Sequence, residues 1–240
     1  MTEFIIDIAG VKVHIEALYE ASKDYCVDYL CDGPADISVK IRQADIDMER
    51  QYDAKERDLE GKAPIRFSDS YMETLAVYRK IVNQLVAHDI LLFHGSVVSV
   101  DGVAYLFTAK SGTGKSTHTR LWRKVFGEKV VMVNDDKPLL KILKDGVLVC
   151  GTPWDGKHRL NTNCIVPLRA ICILERGEKN EISTVSAKEA LPMLLQQSHR
   201  PGDLGKYMEL LDILTGAVSF YRLHCNMDPE AAHVAYNAMK

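Results

Sequence analysis

Residues 109–116 read AKSGTGKS, and further along stand the adjacent carboxylates Asp135-Asp136. A Gly-rich turn ending in Lys-Ser cradles phosphates when it joins a strand to a helix. Gly112 and Gly114 let the backbone curl so that successive N–H groups point inward, and the helix dipole behind them favours an anion. Lys115 would reach the β- and γ-phosphates as a point charge, and the Ser116 hydroxyl would ligate Mg²⁺. Ala109, Lys110, Ser111, Gly112, Thr113, Gly114, Lys115, Ser116 and Thr117 form the candidate nucleotide-binding segment, with ATP and Mg²⁺ as the implied cofactors. Ala109 replaces the usual first Gly, which Ala can do at negative φ. Two adjacent carboxylates permit two jobs: one holds the metal, the other orients or deprotonates an attacking hydroxyl. The run Asn134-Asp135-Asp136-Lys137-Pro138 is also ordinary turn chemistry, so its functional reading leans on the loop upstream.

The elements around these residues must position them. The apolar run 103–107 predicts the strand feeding the loop, and 115–126 predicts the helix after it, closed by Gly127. Runs at 90–93, 96–100 and 103–107 are strand-like in succession, and Asp101-Gly102 is a two-residue hairpin signal. The loop-bearing strand is thus expected antiparallel to its predecessor, which gives a mixed, partly antiparallel sheet flanked by helices: a mixed α/β fold. Strand 129–133 delivers the carboxylate pair, and a hairpin is expected over 139–143 and 147–150. The loop 151–159 carries Trp154, Lys157, His158 and Arg159, and reads either as a lid over phosphates or as a surface loop with a half-buried Trp. Arg159 and Arg176 are further candidate cations for developing charge. Downstream, strands are expected at 168–175, 182–185 and 220–225, with helices at 187–198, 204–214 and after Asp228-Pro229.

Towards the N-terminus, 4–9, 11–17 and 35–41 read as strands; in the second, Val11, Val13 and Ile15 share one face. Residues 48–62 are charged nearly all round and predict a solvated helix or loop. Residues 68–88 predict a long amphipathic helix, opened by a Ser70–Glu73 capping box. One domain is expected over 1–240, a reduced β-rich extension at 1–65 preceding a nucleotide-binding core at 66–240. Hydrophobic residues make up 47% and charged residues 26%, with a net charge of −3. That balance argues against a nucleic-acid or anionic-membrane partner. Met1-Thr2-Glu3 opens no signal peptide. The six cysteines form no C-x-x-C pair and read as reduced thiols of a cytoplasmic protein.

The segment FHGSVVSVDGVAYLFTAKSGTGKS, followed by VNDD, resembles the core of the HPr kinase/phosphorylase family, which shares its nucleotide-binding core with phosphoenolpyruvate carboxykinases. The resemblance covers residues 90–140 and matches His94-Gly95, the loop and Asp135-Asp136. It implies Asp135 as the base that receives the hydroxyl proton, Asp136 beside Ser116 at the metal, and His94 next to the phosphate pocket, touching phosphate or tuning the aspartate. Thr117 departs from the acidic residue or Gln usual there, and no E-x-R-G-x-G signature follows. The resemblance therefore implies nucleotide chemistry, and not HPr as acceptor. The expected function is ATP/Mg²⁺-dependent phosphoryl transfer to a Ser or Thr of a protein or peptide. A small-molecule kinase and a non-catalytic nucleotide-binding regulatory module are the alternatives. The sequence leaves a homo-oligomer open.

Overall fold

The computed structural model describes residues 1–59 and 61–240, and its contacts gather into two units, Met1–Gln84 and Leu85–Lys240. In the first, strands β1 (Thr2–Ile8) and β2 (Val11–Ala17) pair antiparallel, and β3 (Ile37–Lys40) joins β2 in parallel. The alternation in β2 does what period 2 requires: Val11, Val13 and Ile15 are buried and the residues between them are not. Helix α1 (Ala21–Tyr25) is short, while α2 (Gln43–Leu59) and α3 (Asp69–Leu85) are long. Of the charged stretch expected over 48–62, residues 48–59 are helical, and the helix starts earlier because Asp45 Oδ2 accepts the Arg42 N–H at 2.8 Å. Glu60 lies outside the described residues. In α2 only Ile46 and Glu49 are buried, and Glu49 is paired with Arg79 of α3.

The Ser70–Glu73 capping box does not form. Ser68 Oγ takes the Tyr71 N–H at 3.2 Å instead. Glu73 turns inward, fully buried, and accepts from Leu18 N at 2.5 Å, Tyr19 N at 3.0 Å and Ser22 Oγ at 2.7 Å. These bonds, with Lys80 to Asp45 at 2.7 Å, tie α3 to the first unit, whereas the sequence pattern groups it with residues 66–240.

The second unit is built on a nine-stranded sheet. Its strands are β4 (Ile90–Leu92), β5 (Ser96–Val100), β6 (Val103–Thr108), β7 (Val130–Asn134), β8 (Leu139–Leu143), β9 (Gly146–Cys150), β10 (Ile165–Arg176), β11 (Glu181–Val185) and β12 (Ser219–Cys225). The main order is β4-β8-β9-β10-β6-β5-β7, with β12 also on β10 and β11 on β12. Asp101 and Gly102 both have positive φ, as a two-residue hairpin demands, and β5 and β6 pair antiparallel as expected. β6 is parallel to β10, and β10 to β12. The long β10 serves two neighbours in turn: residues 165–167 pair with β9, and the remainder pairs with β6 and β12.

Both faces of the sheet are covered, so its strands are apolar on both sides. Ala104 and Leu106 of β6, with Ile171 and Ile173 of β10, pack with α5 (Ala187–Gln197) and α6 (Leu204–Ala217). Tyr105, Phe107, Ala170 and Cys172 face the other way, with α4 (Lys115–Phe126) and α7 (Glu230–Met239). Ala231, Ala232 and Ala235 of α7 are fully buried, small enough to let that helix come close. The six cysteines are free, and among the described residues no helix is long and apolar enough to cross a membrane.

Where β9 ends, Gly151 passes beneath the segment that returns to β7. A Cβ there would lie 1.9 Å from Thr162 O and 2.9 Å from Val133 O, both backbone atoms. Gly151→Ala is therefore expected to destabilise the second unit by at least about 3 kcal/mol. Gly146→Ala, with nothing within 4 Å of its added methyl, is expected to stay near wild type. Urea unfolding of the two variants checks the contrast.

Candidate active site

Topology alone collects the candidate residues at one edge. β5 is antiparallel to both β6 and β7, so β6 and β7 run the same way, and β10 and β12 run with β6. The C-terminal ends of these four strands share one side of the sheet, together with the start of β5. The glycine turn after β6, Asp135-Asp136 after β7, Arg176 at the end of β10 and His94 before β5 all stand there. That is the edge where open α/β sheets bind ligands.

The turn itself has Gly112 at φ 76° and Gly114 at φ 127°, and Gly114 is the N-cap of α4. Gly114 carries no side-chain cap, and the first turn of α4 holds no carboxylate, so its N–H groups and dipole face outward unneutralised. Lys115 is 9% exposed, and its Nζ donates to Ala109 O at 3.1 Å. Burial pulls this ammonium below its ordinary value, while Asp136 and Asp135 pull it back up. Arg176 braces the turn from the next strand, donating from Nη2 to Gly112 O at 2.7 Å.

The two carboxylates diverge. Asp135 points inward, 6% exposed, and its Oδ1 accepts the Ser96 hydroxyl at 2.6 Å. Ser96 Oγ lies 2.8 Å from Thr119 Oγ1, one helical turn beyond Lys115. Asp136 points outward, its side chain 28% exposed, with Oδ1 3.2 Å from His94 Nε2. Burial works to raise the Asp136 carboxyl, but the His94 hydrogen bond and the Lys137, His94 and Lys115 charges outweigh it and hold it below the ordinary carboxylate value. His94 thus sits beside Asp136.

The backbone of this corner is bound on every side. The buried Asn134 side chain accepts Asp136 N at 2.9 Å and Lys137 N at 2.7 Å, and its Nδ2 donates to Thr152 O at 3.0 Å and Thr152 Oγ1 at 3.1 Å. Gly95 N donates to Asp136 O at 3.0 Å, and Asp135 N to Leu160 O at 3.1 Å. Residues 151–155 are buried throughout, with Trp154 at 1%, while 157–159 are exposed, so the first half of the loop expected over 151–159 is neither a lid nor surface. It is the wall behind the carboxylates. Gly156, at φ 72°, approaches so closely that a Cβ would lie 3.0 Å from Asp136 Cβ.

Arg159, a candidate cation in the sequence, is engaged elsewhere: its Nη1 donates to Asp155 Oδ1 at 3.1 Å and Pro153 O at 3.0 Å. Asp155 is a fully buried carboxylate that the sequence gives no reason to single out. Burial raises it, against the Asn161 bond and the Arg159 charge. Ser96 and Thr119 also go unnoticed in sequence. The one available signal for Ser96 is its place two residues after His94 at a strand start.

Among solved structures, the chain is similar to "Structure of the Hpr(Ser) kinase/phosphatase from Coxiella burnetii", at 12% identity and a TM-score of 0.35, over 61% of this chain and 95% of that one. No family model and no curated protein matches the chain. The chemistry of the site therefore has to be read from its own residues.

Because the Asp136 carboxyl is lower in the fold than in the unfolded chain, its ionised form stabilises the fold above the unfolded value, and that stability drains away as pH falls through the lowered one. The stability gap between wild type and Asp136→Asn is expected to be widest at neutral pH and to close below about pH 4. Denaturant unfolding across that range measures it. A gap independent of pH would remove Asp136 from the acid limb.

Proposed function

We propose that the chain is a phosphotransferase that moves the terminal phosphoryl group of Mg²⁺-bound ATP to the hydroxyl of a Ser or Thr in a protein or peptide. The observation that carries the reading is the meeting, at one sheet edge, of an uncapped glycine-turn helix start bearing Lys115 with two carboxylates whose charge Lys115 feels. Helix N–H groups and a partly buried cation suit a phosphate chain. Carboxylates opposite would repel that chain unless a metal or a proton transfer employs them.

Among the described residues no group of three or more His, Cys, Asp or Glu side chains could hold a metal alone. Magnesium does not need one, since it takes one or two carboxylates and completes its shell with water and phosphate oxygens. Asp136, kept ionised and partly open, and the Ser116 hydroxyl fit that share of the ligands. Bound there, the ion would supply positive charge that offsets the charge of the phosphates.

The chain's own residues do the rest. The 112–114 backbone and Lys115 hold the terminal phosphates. Asp135, fixed by Ser96, receives the acceptor's proton late in transfer, when the hydroxyl has become acidic. His94 keeps Asp136 ionised and oriented. A polypeptide acceptor is favoured by the motif resemblance over residues 90–140.

Lys115→Ala is expected to weaken calorimetric binding of a Mg²⁺-bound, non-hydrolysable ATP analogue by about 10–100-fold, the worth of a charge-assisted hydrogen bond. Equal affinities would refute the phosphate assignment. Asp135→Asn is expected to leave that affinity within about threefold while cutting turnover by about 10²–10⁴. Asp136→Asn is expected to raise the Mg²⁺ requirement first. Incubation with γ-labelled ATP, Ser/Thr peptides and a metabolite panel checks the acceptor. Label on a metabolite alone would overturn the polypeptide reading and leave the kinase reading standing.

A further inference from the structure

The carboxylates flank the glycine turn on its β5–β7 side. On its β10–β12 side lies a cavity of about 520 Å³, lined by the turn, by Thr117, His118 and Leu121 of α4, and by the ends of β10 and β12. Its walls are largely apolar, with Leu121, Leu174 and Met227 among them. One buried polar group on it stands out. His118 is 2% exposed, and its Nδ1 has no hydrogen-bond partner among the described residues.

The proton on that nitrogen can be assigned. Trp122 Nε1 donates to His118 Nε2 at 3.0 Å, and an indole N–H can only donate. Nε2 must therefore present its lone pair, and the proton of the neutral ring sits on Nδ1. Burial lowers the imidazole pKa to about 3, so the ring stays neutral at physiological pH. Phe107, edge-on at 4.6 Å between ring centroids, fixes the plane. His118 is thus a buried N–H donor with no acceptor among the described residues, on a residue that lines an apolar cavity at the foot of the glycine turn. Buried donors are nearly always paired in native proteins, so this one marks the place of a ligand acceptor.

A nucleotide with its terminal phosphates toward Asp135 and Asp136 has its base and sugar on the other side of the turn, where this cavity lies. We propose that His118 is the nucleoside-reading residue of the site, its Nδ1–H donating to an acceptor atom of the base or ribose. The inference rests on the nucleotide reading above and extends it from the phosphates to the nucleoside.

The test separates the two. Wild type, His118→Phe and His118→Asn are titrated with Mg²⁺-ATP analogue and with Mg²⁺-tripolyphosphate, which has the phosphates and no nucleoside. His118→Phe keeps the aromatic packing and removes the Nδ1 donor together with the acceptor of the buried Trp122 N–H, a loss both probes would feel alike; Asn places an amide N–H near the Nδ1 position. The expected result is an about tenfold loss of the ATP analogue for Phe, partial recovery for Asn, and unchanged tripolyphosphate affinity for both. Equal losses for both probes, or none, would overturn the assignment. Wild type binding tripolyphosphate as tightly as the nucleotide would overturn it and leave the phosphate site intact. Wild type binding neither would sink both readings. Should the variants fold poorly, nitrogen NMR of wild type decides: the His118 Nδ1 signal must be protonated and must move with the nucleotide alone.

Discussion

The amide of Asn134 is the constraint on which the corner depends. It is fully buried, and both ends of the group are in use: the oxygen takes two backbone N–H groups of the turn it begins, and the nitrogen reaches Thr152. An apolar residue there would strand several buried polar groups at once, and Asp would offer no donor to Thr152. Because the turn is held by its backbone, the two carboxylates that follow need no mutual contact to stay in place. Like charges in adjacent positions separate best by pointing apart, and here one goes inward to Ser96 and the other outward to His94. Each gains a hydrogen bond of its own, from the Ser96 hydroxyl and the His94 ring.

Sheet direction supplies the second constraint. Helix α4 carries the chain from β6 across to β7, and β5, inserted antiparallel between those two co-directional strands, returns its own start to their C-terminal ends. His94 and Ser96 reach the site for that reason, although they precede the glycine turn by more than a strand in sequence. A plain parallel sheet would present only the ends of its strands at this edge. The mixed sheet presents strand ends and a strand beginning, and so brings hydroxyl and imidazole groups beside the carboxylates.

Features set by neighbours in sequence were legible before the fold was known. The glycine turn, the Asp101-Gly102 hairpin and the alternation of β2 all follow from local chemistry, and the structure has each of these elements. Features set by distant neighbours were not. Glu73 has the spacing of a capping residue, yet Leu18, Tyr19 and Ser22 offer it three donors in place of one helix end. The loop 151–159 reads as a lid or a surface loop, because Gly, Thr, Pro and Asp are loop residues and a Trp among them looks like a contact point, yet only 157–159 are exposed. The burial of 151–155 follows from Thr152 and Trp154 closing over Asn134, a relation with no periodicity to betray it. His118 reads as one more polar residue on a helix until Trp122, four residues on, is seen to fix its tautomer.

Helix α4 joins the two halves of the site through its period. Lys115 and Thr119, four apart, share a face, and that face turns to the carboxylate side: Lys115 feels both Asp charges and Thr119 meets Ser96. Thr117, His118 and Leu121 fall on a different face and line the cavity, while Trp122 goes into the core with Tyr105 and Phe107. Five consecutive residues, Lys-Ser-Thr-His-Thr, are thereby sorted by 100° steps into a charged side and an apolar side. The sorting depends on helical register alone. A one-residue insertion within the first turn would rotate the later residues by one step, breaking the Ser96–Thr119 contact and carrying His118 out of the cavity wall while leaving the glycine turn unchanged. The identity of the loop and the identity of the site are therefore separate properties, and the second is written in the helix.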